Sequence, residues 1–103
     1  MKVFIATPYT QFCDQNNLLK EEYKNSFLKL TNTLKEEKVD YFLALEREKW
    51  GEEYVKDSLS TEIDYNAVLD CDLFCGILGY PHSGGVHVEC GWASANGKKM
   101  YLF

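Results

Sequence analysis

The chain has 103 residues, enough for one hydrophobic core, and its 46% hydrophobic and 15% aromatic content is that of a folded globular protein. The formal net charge of −5 argues against a nucleic-acid polymer as partner, since phosphate backbones are bound by basic surfaces. No segment approaches the roughly 20 consecutive apolar residues of a membrane span, so no membrane partner is expected.

The four cysteines, at positions 13, 71, 75 and 90, show no spacing typical of a disulfide framework. A reducing, cytoplasmic location is therefore expected. Neither linkers nor repeats interrupt the chain, which predicts a single domain over residues 1–103.

Strand and helix patterns alternate along the chain. Apolar, β-rich runs predict strands at residues 2–7, 41–45, 73–78 and 100–103. Helical periodicity and capping signals predict helices at residues 19–38, 52–69 and 86–96, with a bend or restart of the second helix near Ser60 and Thr61. Right-handed crossovers then give a three-layer α/β fold, with a flavodoxin-like or Rossmann-like parallel sheet of about four strands in the order 2-1-3-4.

In such a sheet, ligands bind at the carboxyl ends of the strands where the strand order reverses, here between strands one and three. The loops at residues 7–17 and 79–85 follow these two strands. Gly84 and Gly85 lie at the turn into the third helix, where backbone N–H groups can approach a ligand closely.

Glu89 is the first candidate for chemistry. It is predicted in the first turn of the third helix, where the helix dipole favours the ionised carboxylate. An anionic carboxylate at the mouth of an α/β sheet is a candidate nucleophile or base. The alternative is an ordinary first-turn glutamate that only stabilises its helix.

Asp64 and Ser83 are further candidates. Asp64 could pair with a second carboxylate so that one acts as nucleophile and the other donates a proton, or it could be a solvated helix-face acid. Ser83, directly before the two glycines, could hold a phosphate at the helix N-terminus, or be an ordinary turn serine.

A metal or organic cofactor is not expected. His82 and His87 lie near three cysteines, but the spacing does not match the usual zinc patterns. A dinucleotide-binding Gly-x-Gly-x-x-Gly fingerprint is absent after the first strand. Cys90 as a nucleophile lacks an obvious base partner.

Taken in order, these residues resemble the nucleoside 2-deoxyribosyltransferase family, which includes the deoxynucleoside 5′-monophosphate N-glycosidases. The resemblance rests on Asp64, then Asp72-Leu-Phe at a helix-to-strand junction, then Gly84-Gly85-x-x-x-Glu89-x-Gly91-x-Ala93, and then Gly97-Lys98-Lys99 before the last strand. It covers nearly the whole chain and is most specific over residues 63–103.

The resemblance implies cleavage of an N-glycosidic bond, with Glu89 attacking C1′ of the sugar and Asp64 assisting the leaving base. At the position of Ser83, the transferases carry an aspartate that holds the 5′-hydroxyl, and the monophosphate hydrolases a serine that contacts the 5′-phosphate. The chain is therefore expected to hydrolyse (deoxy)nucleoside 5′-monophosphates. Thr7, Pro8, Tyr9, Gly84 and Gly85 are the further expected substrate contacts.

Several alternatives remain open. A deoxyribosyltransferase would exchange bases between deoxynucleosides, and a NAD glycohydrolase-like enzyme would use a similarly placed glutamate. A non-catalytic nucleotide-binding module is also compatible, because the family's strand-one tyrosine is replaced here by Val3-Phe4-Ile5, with Tyr9 only in the following loop. A four-stranded sheet leaves an edge that needs cover, which predicts a homodimer or larger homo-oligomer.

Overall fold

The structure, a computed structural model, describes residues 1–9, 12–16, 18–47, 57–79 and 84–103. Within these ranges the strands are β1 (Lys2–Ala6), β2 (Asp40–Leu43), β3 (Leu73–Gly76) and β4 (Lys99–Leu102). The helices are α1 (Glu21–Glu36), α2 (Ala44–Arg47), α3 (Asp57–Asp70) and α4 (Gly84–Ala95).

The four strands form one sheet in the order β2-β1-β3-β4, and every neighbouring pair is parallel. The predicted fold class and strand order are therefore confirmed. In the register of the sheet, Ile5 of β1 is paired with Leu43 on one side and Cys75 on the other. The apolar side chains of β1 are buried on both faces because helices cover the sheet from both sides.

Most predicted element boundaries differ from those of the structure by one or two residues, and the start predicted at residue 52 lies outside the described residues. The second strand ends at Leu43, and the next residues turn into α2. The helix predicted from residue 19 begins at Glu21, because Leu19 forms an isolated bridge with Cys13 and Lys20 is extended. The predicted break near Ser60 is wrong, since α3 continues through it: packing of the helix overrides a weak local capping preference.

Two hydrophobic clusters lie on opposite faces of the sheet. One joins Phe4 and Phe74 to the inner sides of α3 and α4, where Val68, Val86 and Ala93 are at most 1% exposed. The other joins the remaining side chains of β1 to α1 through a cluster that includes Val3, Ile5, Leu19, Phe27, Leu43 and Leu45. The sheet is thus the middle layer of three.

The α1 side of β3 and β4 is less well covered by the described residues than the α3/α4 side. Tyr101 of β4 lies on this side, and so does Phe103, which comes two residues later. Tyr101 is 47% exposed and Phe103 is 75% exposed. An apolar cavity of about 300 Å³ lies beside them, lined by residues of β1, β3 and α1 together with Phe103. We call the surface formed by the exposed Tyr101 and Phe103 and the half-buried Leu73, Cys75 and Ile77 the open face.

Candidate active site

Glu89 lies on the packed side of α4, which the sequence did not predict. The helix begins at Gly84, so Glu89 is its sixth residue and stands in the second turn rather than the first. Val86 and Ala93, three residues before and four residues after it, are 1% and 0% exposed. Residues at these spacings share one side of a helix, so Glu89 is drawn into the contact between α4 and the rest of the fold.

Asp64 approaches the same place from α3. It shares a helix side with Val68, which is 0% exposed and lies four residues later. Asp64 and Glu89 each stand six residues before the end of their helices, and α3 and α4 run in the same direction because both lead into parallel strands. The fold therefore brings together two carboxylates that are 25 positions apart in sequence.

The electrostatics of the pair depart from the sequence expectation. Burial, and secondly the negative charge of Asp64, raise the pKa of Glu89 from 4.5 to about 8. The expectation that the helix dipole keeps Glu89 anionic is wrong for the free protein at neutral pH. The dipole acts over the first turn, and Glu89 lies beyond it in a poorly solvated contact beside a like charge.

The first turn of α4 is open to a ligand. Gly84 and Gly85 occupy its first two positions and are exposed, and, apart from the chain next to Gly84 and the backbone of α4, no atom of the described residues lies within 4 Å of where a Cβ of Gly84 would stand. The first N–H groups of any helix lack intrahelical acceptors, so this end can hold an anion. Ser83, predicted to join them, lies outside the described residues, as does His82.

The loop after β1 is the other wall of the predicted site. Thr7 is half-buried and the Pro8 side chain is fully buried. The Tyr9 carbonyl accepts hydrogen bonds from the Phe12 N–H at 2.9 Å and the Cys13 thiol at 3.2 Å, which fix the turn. Contacts of Thr7, Pro8 and Tyr9 with a substrate stay a prediction.

Cysteine and metal chemistry gain no support. Burial, and then the charge of Glu89, raise the pKa of the Cys90 thiol, so it is a weaker nucleophile at neutral pH than an ordinary cysteine. All four cysteines are free thiols. In the part of the chain that the structure describes, no three potential metal ligands cluster.

Comparisons with known proteins identify the fold. No protein-family model and no curated protein matches the chain. The structure of a CMP N-glycosidase from Clostridium botulinum, BcmB, is 32% identical, with a TM-score of 0.73 over 99% of this chain and 67% of that one. The chain belongs to the nucleoside 2-deoxyribosyltransferase-like family.

Two further solved structures are similar to the chain over nearly its whole length. The solution structure of BlsM is 30% identical, with a TM-score of 0.79 over 98% of this chain. A 2-deoxyribosyltransferase from Leishmania mexicana has the same fold at 20% identity, with a TM-score of 0.71 over 99% of this chain. This chain spans 63% of the length of each of these two structures.

The recognition made from sequence motifs is thus confirmed. Family members among these neighbours are enzymes that act on nucleosides or nucleotides, so the predicted enzyme class is confirmed at the level of the family. None of the helices that the structure describes is both long and apolar enough to cross a bilayer.

Sequence reasoning missed one feature of the site, the contact between Tyr65 and Trp92. Their ring centroids are 5.2 Å apart at an interplanar angle of 80°. Each aromatic lies close in sequence to one of the two carboxylates, Tyr65 to Asp64 and Trp92 to Glu89. That proximity was the available signal, but the contact itself requires knowing that α3 and α4 are neighbours.

Proposed function

We propose that this protein hydrolyses the N-glycosidic bond of a (deoxy)nucleoside 5′-monophosphate. The observation that carries the proposal is the meeting of Asp64 and Glu89 between α3 and α4, beside the open first turn of α4. The likeness to a CMP N-glycosidase supports it further, since that protein is named for the cleavage of a nucleoside monophosphate.

In the proposed reaction Glu89 is the nucleophile. Its carboxylate oxygen bonds to C1′ while the C1′–N bond breaks, and the electron pair of that bond leaves with the base. Asp64 donates or directs the proton that the departing base takes up. Water then attacks C1′ while Asp64, now ionised, takes up one of its protons; the bond from C1′ to the Glu89 oxygen breaks, which releases the sugar phosphate and restores the Glu89 carboxylate and the Asp64 proton.

The raised pKa of Glu89 is compatible with a mechanism in which one carboxyl group attacks C1′ and the other delivers a proton to the base. At neutral pH the raised pKa leaves a proton on Glu89, and in this mechanism that proton passes to Asp64 and from there to the departing base. Positive charge developing on the sugar favours the ionised form of the carboxylate beside it. Glu89 would therefore become the anion as the glycosidic bond stretches.

The 5′-phosphate would bind at the start of α4. Backbone N–H groups and the positive end of the helix dipole favour an anion there, and Gly84 leaves room for it. We propose Ser83 and Gly85 as further phosphate contacts, with Thr7, Pro8 and Tyr9 facing the sugar. No metal or organic cofactor takes part in this mechanism.

Base release tests the proposal directly. The purified protein is incubated with nucleosides, deoxynucleosides and their 5′-monophosphates, with and without a second free base, and the products are separated by chromatography. We expect free base from monophosphates only, and its loss in Glu89→Ala. Glu36→Ala, on the exposed surface of α1, is the matched control and should retain full activity.

Three outcomes would point elsewhere. A new nucleoside that forms only when a second base is added would identify a deoxyribosyltransferase and remove the argument from Ser83. Binding of a nucleotide without release of base, by protein that is folded, would identify a binding module. Nicotinamide release from NAD alone would identify the NAD glycohydrolase alternative.

We also propose that the protein forms a homodimer or larger homo-oligomer. Among the described strands β4 has a neighbour on one side only, and the open face beside it exposes Tyr101 and Phe103. A second copy that covers this apolar surface would remove it from water and protect the edge of the sheet. A reducing, cytoplasmic location is part of the same proposal and agrees with the four free thiols.

A further inference from the structure

Two aromatic side chains bridge the helices that carry the carboxylates. Tyr65 directly follows Asp64 on α3, and Trp92 lies one turn beyond Glu89 on α4. Their rings meet edge to face, with centroids 5.2 Å apart and planes inclined at 80°. This is an attractive geometry for aromatic pairs, because the positive ring edge faces the negative ring surface.

Helix α4 depends on such contacts for its position. It has 12 residues, and three of them are glycines, Gly84, Gly85 and Gly91. Gly84 and Gly85 are its first two residues, and Gly91 lies inside it, where a glycine is less favourable than an alanine. Val86 and Ala93 pack into a core cluster with Val68 of α3, and Trp92 packs against that cluster. Tertiary packing rather than intrinsic stiffness therefore holds α4 against α3.

We propose that Tyr65 and Trp92 form a clamp that sets the separation between the Asp64 and Glu89 carboxylates, and that they are thereby positioning residues for the cleavage reaction. The catalytic part of this inference rests on the proposed function, while the geometric part does not. Neither ring is assigned a contact with substrate.

The charge state of Glu89 reports on the clamp. Asp64 on α3 is the charged group that faces Glu89, and Cys90 is the titratable neighbour on its own helix. If the clamp is lost, the core cluster still joins α3 and α4, but we expect the sides of the helices that carry the two carboxylates to move apart and water to enter there. Both causes of the raised Glu89 pKa then weaken, so the pKa falls toward 4.5.

The experiment is a carboxyl NMR titration of Glu89 in protein labelled at its glutamate side chains, with Glu89→Gln used to assign the signal. We expect Tyr65→Leu and Trp92→Leu each to lower the pKa of Glu89 by about one unit or more. Tyr65→Phe keeps the ring and should keep the pKa of the parent protein. Tyr101→Leu, at a 47% exposed aromatic on the open face, is the matched control and should leave the titration unchanged.

The same variants are then tested for base release. Loss of the clamp should lower kcat roughly tenfold with KM little changed, because a small misplacement of reacting groups affects the transition state more than binding. If base release is absent in the parent protein, the proposed function fails, and the titration still decides whether the clamp exists.

Two results would overturn the clamp. One is an unchanged Glu89 titration in both leucine variants. The other is an equal shift in Tyr101→Leu, which would mean that any loosening of the fold moves this pKa. Tyr65 is 38% exposed, so Tyr65→Leu should fold even where Trp92→Leu does not, and it then decides the question.

Discussion

At the scale of single residues, the raised pKa of Glu89 makes the stability of the folded protein depend on pH. Its neighbours on the packed side of α4 are fully buried, and its pKa of about 8 means that the folded protein holds a proton which the unfolded chain releases near pH 4.5. Stability from this group is therefore complete below pH 4.5 and is lost as the pH rises through about 8.

Replacing Glu89 with glutamine should reveal this linkage. Between pH 4.5 and about 8 the free energy of unfolding of the parent should fall relative to Glu89→Gln, by at most about 1.4 kcal/mol per pH unit. Above pH 8 the variant should be the more stable protein, although it releases no base. Urea unfolding at several pH values from 4 to 9 measures the difference.

The control for this comparison is Glu36→Gln, which makes the same chemical change on the exposed surface of α1. Its pH dependence should follow that of the parent. Parallel stability curves for the parent and Glu89→Gln would mean that Glu89 is solvated and ionised in the folded protein.

At the scale of elements, α1 and α4 end with the same motif built on different residues. In α1 the residue after the C-cap, Lys38, has φ = 58°, and the Val39 N–H donates to the Leu34 carbonyl at 2.9 Å. In α4 the equivalent residue is Gly97 with φ = 65°, and the Lys98 N–H donates to the Ala93 carbonyl at 2.9 Å. This is the Schellman arrangement, in which glycine is favoured because it has no Cβ.

The two ends predict opposite effects of substitution. Lys38→Gly should raise the free energy of unfolding by about 0.5–1 kcal/mol, because it relieves a left-handed backbone at a non-glycine residue. Gly97→Ala should lower it by about 1 kcal/mol. No atom lies within 4 Å of the new methyl group of Gly97→Ala, so the effect would come from the backbone alone.

Urea unfolding at one pH measures both changes. Lys38→Ala separates the backbone effect from the loss of the lysine charge, and it should stay close to the parent protein. A stabilising Gly97→Ala would mean that α4 does not end with the left-handed residue described here.

At the scale of the whole molecule, the two faces of the sheet are covered unequally. On one face α3 and α4 form a continuous cluster over all four strands, with Phe42, Phe4 and Phe74 in stacked contact. On the other face α1 packs over β1 and β2, and the open face lies beyond it. Residues that would form a core in a fully covered sheet are thus exposed to solvent in the single chain.

Sedimentation equilibrium should therefore find the protein self-associated. The double change Tyr101→Ser and Phe103→Ser should shift it toward the monomer, because it removes the two large side chains of the open face that are exposed to solvent. Leu59→Ser is the matched control, since Leu59 is 50% exposed but lies on α3. A parent protein that is monomeric at all concentrations would contradict this prediction.

Much of the fold followed from local pattern. The alternation of apolar strands with helical periodicity determined a parallel α/β sheet, and the right-handed crossover rule then left the order 2-1-3-4. The glycines before Glu89 pointed to the candidate site, and the resemblance to the family added Asp64 to it. The ends of helices and strands were predicted less accurately, as Leu19, Ala44 and Ser60 show. Where a helix or strand ends depends on contacts with other parts of the chain.

The sequence by itself determined which residues could do the chemistry, and the tertiary structure decided their state. A carboxylate near a helix start reads as an anion when only its own helix is considered. Packing of α4 against α3 removed water from Glu89 and placed the charge of Asp64 beside it, which reversed that expectation. The contact of Tyr65 with Trp92 and the open face are likewise tertiary facts, because each depends on how helices and strands meet across the sheet.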